Sequence, residues 1–430
     1  MYDFHPYFTK DGSVGLYSPK FNDIYHSATG ALTEACEKFV LPANIDYLLQ
    51  TKNEIKVLDI CYGIGYNTKS FLKNILEKLA PKISPNTDYY AQIYTNNNFC
   101  YQTDSIAQIH TNKSTSKTEE YIGEIDTYNA LRKISVTAVD NDKILIFLSP
   151  FIKTGEKDYK KYNSSIHYEK IHKYLDNPIQ PEIIKIDNEI NLILLAKILI
   201  KYSEEIQKSE IWEILSNPIF EPFFEEEIRR IFESYIKSEG NYTPSEDLYA
   251  FLHNIYYHHV SDSYKTAVET LKTLDVDLDF HIDDARNVIK HDKNRYNLIF
   301  LDAFTPSKCP CLWSYEFFKE LFNHLEQDGM LLTYSSSASV RGGMIEAGFA
   351  IGNIFSEREN KFFGTVAVKD KSLIKHPLSE FDLGLLKTRA GIFYRDPNLT
   401  WQNEAIIEAR NSEVKNSIRM STSQYRKGHG

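Results

Sequence analysis

The sequence predicts an α/β protein built on a mostly parallel sheet covered on both faces. Three observations lead there. Short apolar runs rich in β-branched residues alternate with segments of helical period. Four of the runs end in acid, at Asp59, Asp140, Asp283-Asp284 and Asp302. The first run passes through a glycine turn directly into a helical pattern, EIKVLDICYGIGYNTKSFLKNILEKL over 54–79. In open α/β sheets ligands bind beyond the carboxyl ends of the strands, so these acids mark the side where chemistry is expected.

Taken in order, YSPKFNDIYHSATGALTEACEKFVL (17–41) reads as an amphipathic entry segment. IKVLDI is the first strand of the sheet, CYGIGYN its turn and TKSFLKNILEKL its helix. From Pro81 to Asp126 the chain turns polar and irregular, as an insertion would, with YYAQIYT and KTEEYIGEI as two candidate strands. KISVTAVDND (133–142) is a second core strand, DVDLDFHIDDARNVI (275–289) a third followed by a helix, and NLIFLDAF (297–304) a fourth. That fourth run is apolar throughout, as a central parallel strand should be. GMLLTYSS is a fifth strand, SASVRGGMIEAG a helix, and FAIGNIF with FFGTVAVKD a closing strand pair. Between the second and third strands, INLILLAKILIKYSEEI, EIWEIL, EEEIRRIFESYI and EDLYAFLHNIYYHH predict an inserted helical subdomain. Thr243-Pro244-Ser245-Glu246 is a capping box with proline at the first helical position. The organisation expected is an N-terminal substrate-side segment (1–52), a core (53–150 and 266–368) interrupted at about 81–128, a helical insert (151–265) and a C-terminal extension (369–430).

Composition narrows the function. The chain has 430 residues and a net charge of −10, which disfavours non-specific coating of nucleic acid. The sign reverses over 387–430, where eight Lys/Arg face four Asp/Glu; this is a solvated basic tail or an RNA contact. INLILLAKILI is interrupted by Lys197 and is far shorter than the ~20 residues that span a bilayer. The start shows no signal peptide, and five irregularly spaced cysteines fit reduced thiols, so a cytoplasmic location is expected.

The glycine turn DICYGIGYN holds Gly63 and Gly65 but lacks the third glycine of a dinucleotide fingerprint, having Thr68 there. With Asp59 before the turn and Asp140 ending the next strand, the pattern suits S-adenosylmethionine. The first acid, Gly63, Gly65 and Asn67 would hold the methionine end, and Asp140 the ribose, with Asp283 and Asp284 at the next strand end. The alternative is a plain tight turn. Asp302 caps an apolar strand, and Phe304, Pro306 and Trp313 are expected to wall an apolar cleft beside it; the alternative is a carboxylate that caps the following turn. Cys309-Pro310-Cys311 lacks the further ligands that zinc needs, and His253, His258 and His259 do not share a helix face, so no metal is expected.

Three stretches also carry a family resemblance. SPKFNDIYHSATGALTEACEKFVL resembles S-x-x-F-D-D-x-Y-F-S-x-x-x-G-L-x-E followed by V-F-L. FLDAFTPSKCPCLWSYEFF is similar to F-L-D-G-F-x-P-x-K-N-P-x-M-W, and VRGGMIEAGF to V-R-x-x-L-x-x-A-G-F. These are motifs of the methyltransferase component of the tRNA wobble-uridine enzyme MnmC, which also occurs as a stand-alone enzyme; the likeness covers 17–75, 133–142 and 275–368. It implies a class I S-adenosylmethionine methyltransferase, Rossmann-like, with a seven-stranded mostly parallel sheet. It further implies N-methylation of 5-aminomethyl-2-thiouridine in tRNA, coupled to a separate oxidase or other wobble-modification enzymes. Asp302 is then the catalytic residue, while Tyr25, Glu34, Lys308 and Arg341 match family positions that shape the substrate cleft or ground RNA phosphate. Two departures stand out: Cys61 replaces the turn's first glycine, and Cys309 the asparagine of K-N-P. Competing readings are a polyamine synthase, whose polycation substrate suits the acidic pI of 5.8, and a non-catalytic RNA or protein scaffold.

Overall fold

The computed structural model describes residues 4–19, 23–25, 30–83, 131–163, 183–237 and 274–429. The two candidate strands within 81–126, the Thr243 capping box, EDLYAFLHNIYYHH with its three histidines, and Cys100 lie outside them.

The N-terminal segment is more ordered than an amphipathic entry. Strands β1 (His5–Phe8), β2 (Val14–Ser18) and β3 (Asp23–Ile24) form a three-stranded antiparallel sheet. Asp11-Gly12 turns the β1–β2 hairpin, with Gly12 at φ 76, a backbone that glycine adopts without strain.

The main sheet has seven strands in the order β6-β5-β4-β7-β8-β10-β9. These are β4 (Glu54–Ile60), β5 (Lys133–Asp140), β6 (Asp275–Ile282), β7 (Tyr296–Leu301), β8 (Leu325–Thr333), β9 (Ala350–Ser356) and β10 (Lys361–Val368). β4 to β8 are parallel, and β10 runs antiparallel to both β8 and β9. β4 is flanked by β5 on one side and β7 on the other, the switch point where α/β sheets open a crevice.

Side chains alternate between two cores, as period 2 requires. Val57, Leu298 and Phe300 point to one face; Leu58, Ile299 and Leu301 point to the other. The first face is covered by the helix Tyr66–Ile83, by the N-terminal segment, and by Asn188–Gln207 and Glu226–Lys237 from between β5 and β6. Those inserted helices therefore bury their apolar residues in the core of the sheet. The opposite face is covered by Ala285–His291, Tyr315–His324 and Ala338–Ala347, joined by Ile406 of the C-terminal helix Asn403–Asn416.

Candidate active site

The crevice starts with the turn after β4. Cys61, Gly63 and Gly65 all have left-handed backbones, with φ of 63, 56 and 81. The turn is fastened to β5 by the amides of Cys61 and Tyr62, which donate to the Val139 carbonyl at 2.9 and 3.1 Å. A Cβ on Gly65 would lie 2.3 Å from the Tyr62 hydroxyl, so only glycine fits there. At Gly63 the same atom would meet nothing closer than the Cys61 carbonyl at 3.9 Å, so there glycine is required by its backbone conformation and not by space.

Sheet register sets the acids side by side. Ile60 pairs with Val139 on one side and Leu301 on the other. The next residues of the three chains, Asp140, Cys61 and Asp302, therefore form one row across the mouth of the crevice, with Asp59 just beneath. Asp59 is fully buried; one oxygen accepts from the Thr68 hydroxyl at 2.6 Å and the other has no hydrogen-bond partner. Burial drives its pKa up to about 7, against the Thr68 hydrogen bond and with help from the Asp302 charge. Asp140 accepts from the Gly63 amide at 2.8 Å and the Asp142 amide at 2.9 Å, and desolvation raises it to about 6. Asp302 accepts from the Asn67 side-chain amide at 3.0 Å. Desolvation and then the Glu34 charge raise it to about 6, opposed by Asn67 and Lys38. Cys61 is held a thiol well above its ordinary range by burial and then by Asp140 and Asp302, which disfavours a thiolate nucleophile.

The N-terminal segment roofs this row. Tyr25 lies with its ring centroid 5.0 Å from that of Phe304, and burial, then the charges of Asp142 and Asp140, push its phenol up. Glu34 comes from the short helix Ala31–Ala35, which continues into one turn of π-helix, Cys36–Val40. It is ion-paired with Lys38, one helical turn on. The helix is held by a distant cap: the buried Asp11 carboxylate accepts from the Thr33 amide at 2.8 Å and its hydroxyl at 2.9 Å. Thr68, Lys38 and Asp11 were not singled out from sequence. The i,i+4 spacing of Glu34 and Lys38 was a legible signal, as was Asp11-Gly12 for the hairpin.

The structure thus brings together Asp59, Gly63, Gly65, Asn67, Asp140, Asp302, Tyr25, Glu34 and Phe304, with the partly exposed Pro306 on the same loop. Others lie elsewhere. Trp313 is wholly buried beneath the loop, its indole N–H donating to the Phe304 carbonyl at 2.8 Å, so it supports the cleft wall from below. Arg341 is also buried, and its guanidinium bonds Thr365, Asn353 and Gly364 at the β10 bulge, so that it braces strands and grounds no external phosphate. Lys308 is exposed on the loop's outer edge. Asp283 is exposed, and Asp284 caps its own helix and is gripped by Arg286. Arg286 also reaches the buried Asp396 at 2.8 Å, tying the β6 end to the C-terminal extension. The Cys309 and Cys311 sulfurs are 3.7 Å apart.

A buried carboxylate with an unsatisfied oxygen, beneath two further carboxylates, fits a ligand carrying a positive charge beside polar groups. S-adenosylmethionine has that character: its ammonium would lie at Asp59, and its ribose at Asp140.

Comparison with known proteins agrees. Residues 247–366 match the family model described as S-adenosyl-L-methionine-dependent methyltransferase. An uncharacterized protein of Methanocaldococcus jannaschii is 32% identical over 165 residues, 35% of this chain and 45% of that protein. The tRNA 5-methylaminomethyl-2-thiouridine biosynthesis bifunctional protein MnmC of Burkholderia vietnamiensis is 37% identical over 67 residues, 16% of this chain and 10% of that protein. These matches span less than half the length of either relative. The crystal structure of MnmC2 from Aquifex aeolicus superposes with a TM-score of 0.51 at 18% identity, covering 97% of this chain and 87% of that one; this likeness shows the fold.

Proposed function

We propose that the chain is an MnmC-like, S-adenosyl-L-methionine-dependent methyltransferase that N-methylates the 5-aminomethyl group of wobble 5-aminomethyl-2-thiouridine in tRNA, a reading supported by the family match and the fold likeness. The product is 5-methylaminomethyl-2-thiouridine. The observation that carries this reading is the acidic row. Asp59, Asp140 and Asp302, all with raised pKa, end three adjacent strands. A crevice that concentrates unsatisfied negative charge favours a cationic donor and an amine acceptor over an anionic or neutral nucleophile.

S-adenosylmethionine, when bound, supplies an electrophilic methyl group on a sulfonium. The chain's own residues do the rest. Asp59, with Gly63 and Asn67 near it, holds the positive methionine end, and Asp140 accepts from the ribose hydroxyls. An alkyl amine is protonated at neutral pH, with lysine's ~10.4 as a guide, so it must give up one proton before it can attack. Asp302, whose carboxylate is largely ionised above about pH 6, orients the ammonium and receives that proton. It then passes the proton to solvent as the methylated ammonium leaves. Glu34, ion-paired with Lys38, adds negative charge that makes Asp302 a stronger acceptor. Tyr25 and Phe304 flank the base and limit water, and alignment of amine and methyl supplies much of the rate. The step is functionally coupled to the reaction that makes the amine.

The test is mass spectrometry of nucleosides from tRNA of a strain lacking the gene. Accumulated 5-aminomethyl-2-thiouridine, consumed by purified protein with S-adenosylmethionine, supports the proposal. Unchanged wobble nucleosides alongside altered polyamines would assign the acidic crevice to a free polyamine acceptor instead.

A further inference from the structure

The loop that carries Asp302 also holds two thiols for which methyl transfer has no use. The Cys309 and Cys311 sulfurs face each other at 3.7 Å across Pro310. We propose that this pair is a redox site: a low-molecular-weight disulfide oxidises it to a Cys309–Cys311 bridge, and the bridge slows methyl transfer. The bond itself is independent of the function proposed above; its effect on turnover rests on that reading.

The backbone presents the sulfurs to one another. The Cys309 amide donates to the Thr305 carbonyl at 3.1 Å, and the Leu312 amide to the Cys309 carbonyl at 3.3 Å, where Pro310 opens the short 3₁₀-helix Pro310–Trp313. The Cys311 amide is held by Asn403 at 3.4 Å, and its carbonyl by the Ser314 hydroxyl at 3.0 Å. A disulfide spans about 2.04 Å, so closure requires an approach of about 1.7 Å.

Reactivity is divided between the two residues. Cys309 is partly exposed and Cys311 is buried, so a reagent meets Cys309 first. The hydrogen bond from Cys309 draws Cys311 towards its thiolate in spite of burial, with help from the Arg286 charge. Proton transfer along that hydrogen bond makes Cys309 the thiolate that attacks a small disulfide RSSR, forming Cys309–S–SR and expelling RS⁻. Cys311 then gives its proton to this RS⁻ and attacks the Cys309 sulfur, expelling the second RS⁻. The pair loses two electrons and RSSR gains them, leaving one bridge, RSH and RS⁻. A bridge across a single residue is strained and partly exposed, so excess thiol reopens it.

Position couples the pair to the crevice. Cys61, which lies between Asp140 and Asp302 in the acidic row, packs like Cys309 against the apolar cluster that contains Cys311. Two residues past Cys311, Trp313 holds the Phe304 carbonyl, and with it the wall that faces Tyr25. Tightening the turn moves these groups relative to Asp302, and a misplacement of about 1 Å costs roughly 10²-fold in rate.

The experiment equilibrates the intact chain with mixtures of reduced and oxidised glutathione, traps free thiols by alkylation and maps the peptides by mass spectrometry. Methyl transfer to tRNA is measured on the same samples, for wild type, Cys309→Ser and Cys311→Ala. The expected result is a Cys309–Cys311 bridge in wild type, with transfer slowed by about tenfold or more and restored by dithiothreitol. Cys309→Ser, a change at a partly exposed position, should transfer methyl at one rate throughout the series, as should Cys311→Ala. Thiols that stay reduced at every ratio, or that pair with Cys61 or with glutathione alone, overturn the site. A bridge that leaves the rate unchanged, or slowing that persists in both variants, overturns the switch. A bridge in a protein that methylates no tRNA even when reduced upholds the redox pair and overturns the proposed function instead.

Discussion

Asp59→Asn separates the electrostatics of the crevice from its geometry. Asp59 is fully buried, with a pKa of about 7 in the fold against an ordinary 3.8. A carboxylate whose folded pKa is raised binds its proton more tightly when folded. Its burden is therefore absent below pH 4, grows as pH rises and is complete above pH 7. Linkage over that gap makes the ionised carboxylate cost about 2 kcal/mol at pH 5 and about 4 kcal/mol at pH 8. Asparagine removes this charge but leaves an amide N–H where the unpaired oxygen was, a fixed cost of about 1–3 kcal/mol. The fixed cost is the same at both pH values and cancels in the difference. Urea unfolding should then show the variant gaining on wild type by about 2–3 kcal/mol between pH 5 and pH 8. Saturating S-adenosylmethionine should stabilise wild type at pH 8 far more than the variant, because a cation beside Asp59 answers the charge that burial leaves unanswered. A stability difference that stays level across pH would refute the reasoning, since it would mean that Asp59 ionises in the fold as easily as in the unfolded chain.

Asp302→Ala should keep S-adenosylmethionine binding by calorimetry and lose turnover by two or more orders of magnitude, as removal of a general base does. In wild type the rate should rise with pH through about 6 as Asp302 ionises. Asn67→Ala should move that rise to higher pH, because Asn67 donates to the carboxylate; an unmoved profile would assign the limb to another group. Arg286→Ala leaves the buried Asp396 without its cation, at a cost of about 3 kcal/mol, read as a lower urea midpoint and easier proteolysis of 371–429. Gly65→Ala should yield little folded protein, since its Cβ collides with Tyr62. Cys61→Gly should instead hold or raise the thermal midpoint, by relieving about 1 kcal/mol of left-handed strain.

Much of the sheet was legible because buried parallel strands announce themselves. All six residues of β7 are buried, and NLIFLDAF reads as one apolar run. That Asp59, Asp140 and Asp302 lie close together was legible by the same logic, since adjacent parallel strands align their carboxyl ends. What failed were residues whose burial depends on distant partners. Trp313 and Arg341 look like cleft and phosphate residues by type, yet each closes a hydrogen-bond set inside the fold. Asp284 ends a strand as the others do, but Arg286, two residues on, turns its carboxylate to the C-terminal extension. The hairpin at Asp11-Gly12 carried a turn signal that was readable, whereas its capping of Thr33, 22 residues away, was not.

The loop that carries Asp302 makes the same point about where catalytic geometry originates. FLDAFTPSKCPCLW draws the eye to its cysteines, but its shape is set by what grips it. Trp313 holds the Phe304 carbonyl from below, and Tyr334 donates to the Ala303 carbonyl at 2.9 Å. From about 90 residues further along the chain, Asn403 reaches the Lys308 carbonyl at 3.3 Å and the Cys311 amide at 3.4 Å. Arg395 pairs with Glu316 on the helix that follows the loop. Polar contacts from a rigid neighbour restrict a loop more than its own sequence can, because each removes backbone freedom that otherwise costs about 1–2 kcal/mol per residue to fix. The C-terminal extension therefore bears on the proposed active site through position, although among the described residues it supplies no group to the crevice. Shortening it should loosen Asp302 and slow methyl transfer before it weakens the sheet.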